Sequence, residues 1–113
     1  MDTDLNGKVA IVTGGSRGIG KAISAELASA GAKVMITSRK AEACEEAVNE
    51  IVSETGGELA FEAGNAGRVE DIDRVVEATL STFGSVDILI NNAATNPYAG
   101  PTIDVDVPRW DKT

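Results

Sequence analysis

The sequence contains no histidine and only one cysteine, Cys44, among its 113 residues. Without histidine, the chain cannot form a histidine-based catalytic triad and lacks a ligand common to most zinc sites. A single cysteine excludes an internal disulfide. With no histidine to act as its base, we do not expect Cys44 to be a reactive thiol. Its setting in a helical, Ala- and Glu-rich stretch predicts a small, half-buried side chain, and we predict no metal site.

Basic residues and long apolar runs are also scarce. The sequence has ten Lys and Arg residues and 18 Asp and Glu residues, which gives a formal net charge of −8. This excess of acid argues against nucleic acid or an anionic membrane as a partner, because both require a basic face. No apolar run approaches the roughly 20 residues needed to span a bilayer. The acidic residues 1–4 lack the apolar core of a secretory signal, so we expect a cytoplasmic protein.

Short apolar runs alternate with amphipathic stretches along the chain, and glycines follow the amphipathic stretches as helix caps. Strands are predicted at residues 8–13, 33–37, 59–63 and 86–91. Helices are predicted at residues 18–30, 41–55 and 70–83. This alternation with short links is typical of a parallel sheet with right-handed crossovers. We therefore predict an α/β protein, the first half of a Rossmann-type doubly wound sheet with strand order 3-2-1-4.

The end of the sequence has a different character. Residues 92–105 read as a loop with proline-containing turns, and a helix is predicted to begin near residue 107. We expect residues 1–113 to form one domain that stops part-way through the doubly wound fold. The fourth strand, predicted to be buried on both faces, would then be an unprotected sheet edge. If the short chain persists, we predict that it associates through that edge.

A glycine-rich turn joins the first strand to the first helix. Gly14, Gly18 and Gly20 lie between the apolar residues 9–12 and the helical residues 21–28. Glycines allow a sharp turn and a close approach of the backbone, and the N–H groups at a helix start attract an anion. The spacing therefore predicts a pyrophosphate site. The alternative, a turn that binds no nucleotide, is disfavoured by the intact spacing.

A second motif, Asn91-Asn92-Ala93-Ala94, ends the fourth predicted strand. In the predicted sheet it would lie beside the glycine turn, at the carboxyl edge where such sheets bind ligands. An alternative without a ligand is that Asn91 and Asn92 only bond the backbone at the end of the strand. From this motif alone the two interpretations are equally supported.

The two motifs, the helical residues 70–83 and the following Gly84-Ser85-Val86-Asp87 together resemble the short-chain dehydrogenase/reductase family. Residues 96–113 look most like bacterial 3-oxoacyl carrier-protein reductases and the NADPH-dependent carbonyl and retinol reductases. The resemblance implies an oxidoreductase that transfers hydride between a nicotinamide and a carbonyl or secondary alcohol carbon. It also implies a small-molecule carbonyl or alcohol substrate and, for a full-length chain, a homodimer or homotetramer.

The resemblance also implies which residues bind the cofactor. Asn65 stands where the family usually has an Asp that bonds the adenine amino group, and an Asn oxygen can still accept that bond. Asn91 would line the cofactor ribose. Ala94 replaces the more common glycine, a small change. The implied cofactor residues are Gly14, Ser16, Arg17, Gly18, Ile19, Gly20, Ser38, Arg39, Asn65, Ala66, Asn91 and Ala93.

Charge at the end of the second strand favours NADP(H) over NAD(H). NAD-dependent enzymes place an acidic residue there to accept the ribose 2′-hydroxyl, whereas this sequence has Ser38. Arg39 follows, and Arg17 lies in the glycine turn, so we expect two guanidinium groups to converge on a 2′-phosphate. The alternative is that these arginines are solvated and pair with Glu42 or Glu45.

The catalytic residues of the family are missing from this sequence. The family uses a Ser and a Tyr that lies four residues before a Lys. Here the only tyrosine is Tyr98, and Thr102 lies four residues further on. The resemblance therefore implies that residues 1–113 form a dinucleotide-binding domain truncated before the catalytic half. We predict no catalytic residue in this chain and no activity from the 113 residues alone. Two interpretations stay open, the first part of an oxidoreductase, which we favour, and a non-catalytic nucleotide-binding module or fragment. Neither the substrate nor the direction of reaction is predicted.

Overall fold

A computed structural model describes residues 5–14, 16, 18–65, 67–92 and 102–104. Strands and helices alternate as far as the fourth strand, as the sequence predicts, and a fifth strand follows. In chain order they are β1 (Val9–Thr13), α1 (Gly18–Ser29), β2 (Lys33–Thr37), α2 (Ala41–Thr55), β3 (Leu59–Phe61), α3 (Val69–Phe83), β4 (Ile88–Asn91) and β5 (Thr102–Asp104). None of the helices in this part of the chain is long and apolar enough to cross a membrane.

The strands form one sheet in the order β3-β2-β1-β4-β5. The first four are parallel, which confirms the predicted order 3-2-1-4. In this register Thr13 pairs with Thr37 on one side and with Asn91 on the other. The last residues of β1, β2 and β4 therefore meet at one edge of the sheet, and the segments that follow these strands start from that edge.

The predicted loop over residues 92–105 is wrong at β5. This strand pairs antiparallel with β4, with Leu89 opposite Asp104 and Asn91 opposite Thr102. β4 is therefore not an unprotected edge, and the predicted association through it loses its basis. A strand of three residues is too short to show a periodic pattern in the sequence. The rest of the predicted loop and the helix near residue 107 lie outside the described residues.

Helices cover both faces of the sheet. On one face, α1 and α2 pack over a core that includes Val12, Ile36 and Ile51, and on the other α3 packs over Ile11 and Met35. Successive side chains of a strand point to opposite faces, which is why the neighbours Ile11 and Val12 belong to different cores. As a result, β1 is buried along its whole length.

Two predictions of burial are corrected. Ile90 of β4 is buried, but Ile88 and Leu89 are only half-buried. A cavity of about 160 Å³ lies between the sheet and α3 beside Leu89, so α3 does not cover that residue fully. Cys44, predicted to be half-buried, is completely buried, because it faces the sheet from α2 in line with Ala47.

The boundaries of β2 and α2 agree with the prediction, whereas β3 and β4 are shorter than predicted. β4 begins two residues later than predicted, and Asp87, just before it, bonds to β1 partly through its side chain. The N–H of Val9 donates to Asp87 Oδ2 at 2.9 Å, and the Asp87 N–H donates to the Val9 carbonyl at 2.8 Å. These two bonds anchor the start of β4 to the start of β1.

Candidate functional site

The glycine turn packs directly against the residue that follows β4. The N–H of Gly14 donates to the Thr37 carbonyl at 2.8 Å. A Cβ atom placed on Gly14 would lie 2.5 Å from the Asn92 backbone oxygen, and one on Gly20 would lie 2.8 Å from Asn92 Nδ2. Real Cβ atoms essentially never approach so closely. Glycine is therefore required at both positions, since the turn, the start of α1 and the end of β4 are in contact.

Gly18, at the start of α1, is required for a different reason. Its φ is +56°, and no described atom lies within 4 Å of where its Cβ would be. Backbone conformation alone therefore favours glycine here, because a left-handed φ costs other residues about 1–2 kcal/mol. The neighbouring side chain of Ile19 is 60% exposed. Among the described residues, none therefore covers the Cβ position of Gly18, and the Ile19 side chain beside it is largely exposed.

The first turn of α1 carries no acidic residue, unlike the other helices. The first turn of α2 contains Glu42, and that of α3 contains Glu70 and Asp71. The first N–H groups of any helix have no partner within the helix, and the helix dipole makes that end positive. At α1 no side chain of the first turn competes for these groups, so they are suited to an external anion.

Thr13 links the ends of β1 and β4. Its hydroxyl accepts a hydrogen bond from the Asn92 N–H at 2.8 Å and donates to Asn91 Oδ1 at 3.0 Å. Thr13 is only 2% exposed. Both asparagines therefore do bond at the strand end, as the alternative without a ligand supposed. The contact of Asn91 with a ribose stays a prediction.

Thr13 is not among the site residues predicted from the sequence. The available signal was a threonine at the last position of a strand that is otherwise wholly apolar. A buried hydroxyl needs a partner, and the two polar residues that end β4 supply it. Thr13 therefore positions Asn92, against which Gly14 and Gly20 pack.

Ser16 and Ser38, both predicted cofactor residues, lie together. Ser16 Oγ donates to Ser38 Oγ at 3.1 Å, which connects the glycine turn to the end of β2. Ser38 Oγ also lies 3.1 Å from Cys44 Sγ. Cys44, from the first turns of α2, is thus a neighbour of the site that the sequence did not suggest.

Arg39 and Lys40, the cations after Ser38, are exposed. Neither forms an ion pair with any residue that the structure describes, so the alternative pairing of Arg39 with Glu42 or Glu45 is not observed there. Arg17 lies outside the described residues. Its convergence with Arg39 on one phosphate therefore stays a prediction.

Asn65, the predicted adenine contact, belongs to a loop that its own side chains hold in place. The Asn65 N–H donates to Asp71 Oδ2 at 2.8 Å, and the Gly67 N–H donates to Asn65 Oδ1 at 2.8 Å. The hydrogen bond from Asn65 and the guanidinium of Arg74 lower the pKa of the Asp71 carboxyl. One lone pair of Asn65 Oδ1 is thus already used, and the other is left for a further donor.

The loop after β3 lies beside the end of β2, because the Gly64 N–H donates to the Ser38 carbonyl at 2.8 Å. The structure therefore brings the predicted residues of four chain segments to the carboxyl edge of the sheet. These residues are Gly14, Ser16, Gly18, Ile19, Gly20, Ser38, Arg39, Asn65 and Asn91. Three further predicted residues, Arg17, Ala66 and Ala93, lie outside the described residues.

Residues 8–113 match the family model described as short chain dehydrogenase. The chain belongs to the short-chain dehydrogenase family. The parallel sheet with a glycine turn after β1 agrees with membership of this family. Members of the family are oxidoreductases.

Curated relatives are similar over nearly the whole chain. Dehydrogenase/reductase SDR family member 4 of Oryctolagus cuniculus is 43% identical over 108 residues, which cover 96% of this chain and 41% of the relative. The short chain dehydrogenase/reductase astE of Aspergillus oryzae is 37% identical over 108 residues, again 96% of this chain and 41% of the relative. The chain therefore spans about two fifths of the length of the curated relatives it matches.

Solved structures show the same fold. L-Sorbose reductase from Gluconobacter frateurii, complexed with NADPH and L-sorbose, superposes with a TM-score of 0.80 at 39% identity and covers 84% of this chain and 36% of its own. Actinorhodin polyketide ketoreductase with NADPH gives a TM-score of 0.71 at 33% identity, covering 75% and 32% of the two chains. Hydroxysteroid dehydrogenase from Escherichia coli gives 0.78 at 35% identity, covering 82% and 39%.

Proposed function

We propose that this chain forms the cofactor-binding portion of an NADP(H)-dependent oxidoreductase. In a polypeptide of its relatives' length, this enzyme would transfer hydride between a nicotinamide and a carbonyl or secondary alcohol carbon. The observation that carries the proposal is the start of α1. There Gly14 and Gly20 pack onto Asn92, and the first helical turn has no carboxylate of its own.

The pyrophosphate would be held at the start of α1. The N–H groups of Gly18, Ile19 and Gly20 are in the first turn, where a helix leaves its donors unpaired. The dipole of α1 adds a favourable potential for an anion at that point. The donor set therefore fits a diphosphate. The bound cofactor would supply the nicotinamide that accepts or donates hydride.

Ser38 and Arg39 support a preference for NADP(H). No carboxylate stands at the end of β2 to repel a 2′-phosphate, and Ser16 and Ser38 bring two hydroxyl groups together there. Arg39 is exposed and unpaired among the described residues, and the proposal places Arg17 opposite it. Two of the similar structures, the sorbose reductase and the polyketide ketoreductase, are NADPH complexes.

The remaining assignments extend the site along the sheet edge. Asn65 and Ala66 would contact the adenine, with Asn65 Oδ1 using its second lone pair to accept a hydrogen bond. Asn91 and Ala93 would line the ribose next to the nicotinamide. Asn91 already accepts a hydrogen bond from Thr13, and this bond holds its side chain in one orientation.

Catalysis would depend on residues that this sequence does not contain. The only tyrosine, Tyr98, is not followed by a lysine four residues later. We propose that these 113 residues alone bind nucleotide without turning over a substrate. The complete enzyme would be a cytoplasmic homodimer or homotetramer acting on a small carbonyl or alcohol compound. A non-catalytic nucleotide-binding module is the second candidate, favoured by the same absence of a Tyr-x-x-x-Lys motif.

Titration of the purified chain with NADPH and with NADH tests the proposal. We expect NADPH to bind more tightly. Replacing Arg17 and Arg39 together with Ala should weaken NADPH by about 3 kcal/mol, because charged hydrogen bonds contribute about 1.5–3 kcal/mol each. The loss for NADH should be far smaller.

The double variant Lys8→Ala/Lys33→Ala is the control. It removes the same amount of charge, but far from the carboxyl edge, because both lysines lie at the amino ends of their strands, β1 and β2. We expect it to retain the NADPH preference. Equal losses for the two nucleotides in the arginine variant would contradict the assignment of a 2′-phosphate site. No binding of either nucleotide to the wild-type chain would contradict the proposed function itself.

A further inference from the structure

We infer that the Cys44 thiol orients the Ser38 hydroxyl and thereby favours a phosphate over a hydroxyl at the ribose 2′ position. Cys44 would act as a positioning residue, without touching the cofactor. The inference rests on the proposed function, because it supposes that NADP(H) binds at the end of β2. In addition to Arg17 and Arg39, the buried Cys44 thiol would then be a determinant of cofactor choice.

Three polar side chains form a hydrogen-bonded row around Ser38. Ser38 Oγ lies between Ser16 Oγ and Cys44 Sγ, at 3.1 Å from each. Ser16 and Ser38 are half-buried, whereas Cys44 is completely buried in the core shared by α1 and α2. The hydrogen-bonded row therefore runs from the glycine turn, past the end of β2, into the protein interior.

The number of hydroxyl and thiol hydrogens limits the directions that the hydrogen bonds in this row can take. A serine hydroxyl has one hydrogen to donate and two lone pairs to accept with. Ser16 donates to Ser38, which fills one lone pair of Ser38 Oγ. Between Ser38 and Cys44 either group could be the donor. The direction of that second bond decides whether the Ser38 hydrogen is used inside the protein or is available to a ligand.

A 2′-phosphate distinguishes the two directions. If Ser38 donates to the thiol, its only hydrogen points into the core and cannot reach a phosphate. If Cys44 donates, both lone pairs of Ser38 Oγ are filled and its hydrogen is free to point out of the protein. A phosphate dianion only accepts hydrogen bonds, so it requires the second arrangement and strengthens it by its charge.

A 2′-hydroxyl does not make this distinction. It can accept the Ser38 hydrogen in one arrangement and donate to the remaining Ser38 lone pair in the other. Loss of the thiol should therefore matter for NADPH and hardly at all for NADH. A thiol also suits the position, because it packs like a small apolar group and still offers a weak donor.

The test compares variants at Cys44 by isothermal titration of the complete chain with NADPH and with NADH. Cys44→Val removes the thiol while keeping an apolar side chain of similar size. We expect NADPH to bind about three- to fivefold more weakly, as for loss of one weak hydrogen bond, and NADH to change by less than about twofold. Cys44→Ser restores a donor and should recover at least half of the lost NADPH preference.

Ile51→Val is the matched control, since Ile51 lies on the same helix and in the same core but has no polar group. It should reduce thermal stability without changing the ratio of the two dissociation constants. Circular dichroism checks that each variant is folded, and Cys44→Ala replaces Cys44→Val if the valine variant is not.

Each outcome has one meaning. A wild-type chain that prefers NADPH, with a preference lowered by Cys44→Val and recovered by Cys44→Ser, supports the inference. A wild-type preference that Cys44→Val leaves unchanged overturns the inference alone. Equal weakening of both nucleotides without rescue by Cys44→Ser also overturns it, since the thiol would then contribute only packing. A wild-type chain without NADPH preference overturns the proposed cofactor choice, on which the inference depends.

Discussion

The helices α1 and α3 begin at the same edge of the sheet, yet their first turns are built in opposite ways. At α3, Asp71 accepts a hydrogen bond from the Asn65 N–H, and Arg74 joins Asp71 to Glu62. At α1 the first turn has no carboxylate. The first turn of α3 thus carries carboxylates, one of which holds the preceding loop, whereas the first turn of α1 carries none and is the one proposed to bind an external anion.

The residues packed around the two helix starts also differ. Around α1, Gly14 and Gly20 allow the backbone to contact Asn92. Around α3, the side chain of Asn65 accepts from the Gly67 N–H and closes its own turn. Glu70 and Asp71 in the first turn of α3 would also repel an anion there, whereas the first turn of α1 has no carboxylate to do so.

The largest effect is expected from filling the α1 start. Gly20→Val places a side chain against Asn92 and the Gly14 carbonyl, so the turn must move away from the helix. We expect NADPH affinity to fall by about a hundredfold or more, because at least two charge-assisted hydrogen bonds are lost. Titration calorimetry measures the loss, and circular dichroism should show that helix content is retained.

Gly84→Ala is the control for this substitution. Gly84 also has a positive φ, +90°, but it ends α3 and its Cβ position has no described atom within 4 Å. We expect a loss of about 1 kcal/mol in the free energy of unfolding and no change in NADPH affinity. A folded Gly20→Val variant that binds NADPH as tightly as the wild type would refute the placement of the pyrophosphate.

An intermediate effect is expected from making α1 resemble α3. Ile19→Glu adds a carboxylate to the first turn at an exposed position. The new charge should stabilise the helix by about 0.3–1 kcal/mol through the dipole. It should also repel the pyrophosphate and weaken both NADPH and NADH about tenfold, since two charges close together at a protein surface interact by about 1–4 kcal/mol.

The matched control adds the same charge to α3. Val69, the first residue of that helix, is 74% exposed, so Val69→Glu introduces a carboxylate at a comparable place. We expect nucleotide binding to be unchanged. Thermal denaturation of both variants, together with the two titrations, separates the stability effect from the binding effect. Equal weakening by both substitutions would show that net charge, and not the α1 start, controls binding.

The smallest effect is expected from removing the Asp71 carboxylate, which holds the loop before α3. The pKa of Asp71 is lowered in the folded protein, first by the Asn65 N–H and then by Arg74. Because the folded pKa lies below the unfolded value of about 3.9, this carboxylate stabilises the fold above that pH. Its contribution is lost as the pH falls through the lower, folded pKa.

Asp71→Asn should therefore reduce stability at pH 6 and make the variant and wild type converge as the pH is lowered below about 4. Urea unfolding at a series of pH values measures the difference. Asp73→Asn, on the same helix and without a recorded ion pair among the described residues, is the control. A difference between Asp71→Asn and wild type that grows toward low pH would contradict the assigned role of Asp71.

Much of this arrangement follows from the sequence, for physical reasons. β1 and β2 are continuous apolar runs because helices cover them on both faces, and that pattern is visible without a structure. The glycine spacing and the short links then limit the topology to a parallel sheet with the turn at its carboxyl edge. Each of these features is local, or follows from elements next to each other in the chain.

The features that the sequence did not predict are contacts between distant segments. β5 has three residues and exists through its pairing with β4. The hydrogen bond between Ser16 and Ser38 joins residues 22 positions apart, and the one between Thr13 and Asn92 joins residues 79 positions apart. Such contacts depend on strand register, which no short-range pattern specifies. The burial of Cys44 was missed for the same reason, since it depends on how α2 is rotated against the sheet.

The most direct test of the account is to follow the backbone amides of the ¹⁵N-labelled chain by NMR during titration with NADPH. We predict large, saturating shifts for Gly18, Ile19 and Gly20, and small shifts for Glu70 and Asp71 at the start of α3. Shifts of equal size at both helix starts, or no shifts at the start of α1, would contradict the claim that the cofactor's phosphates bind at the start of α1 and not at the start of α3.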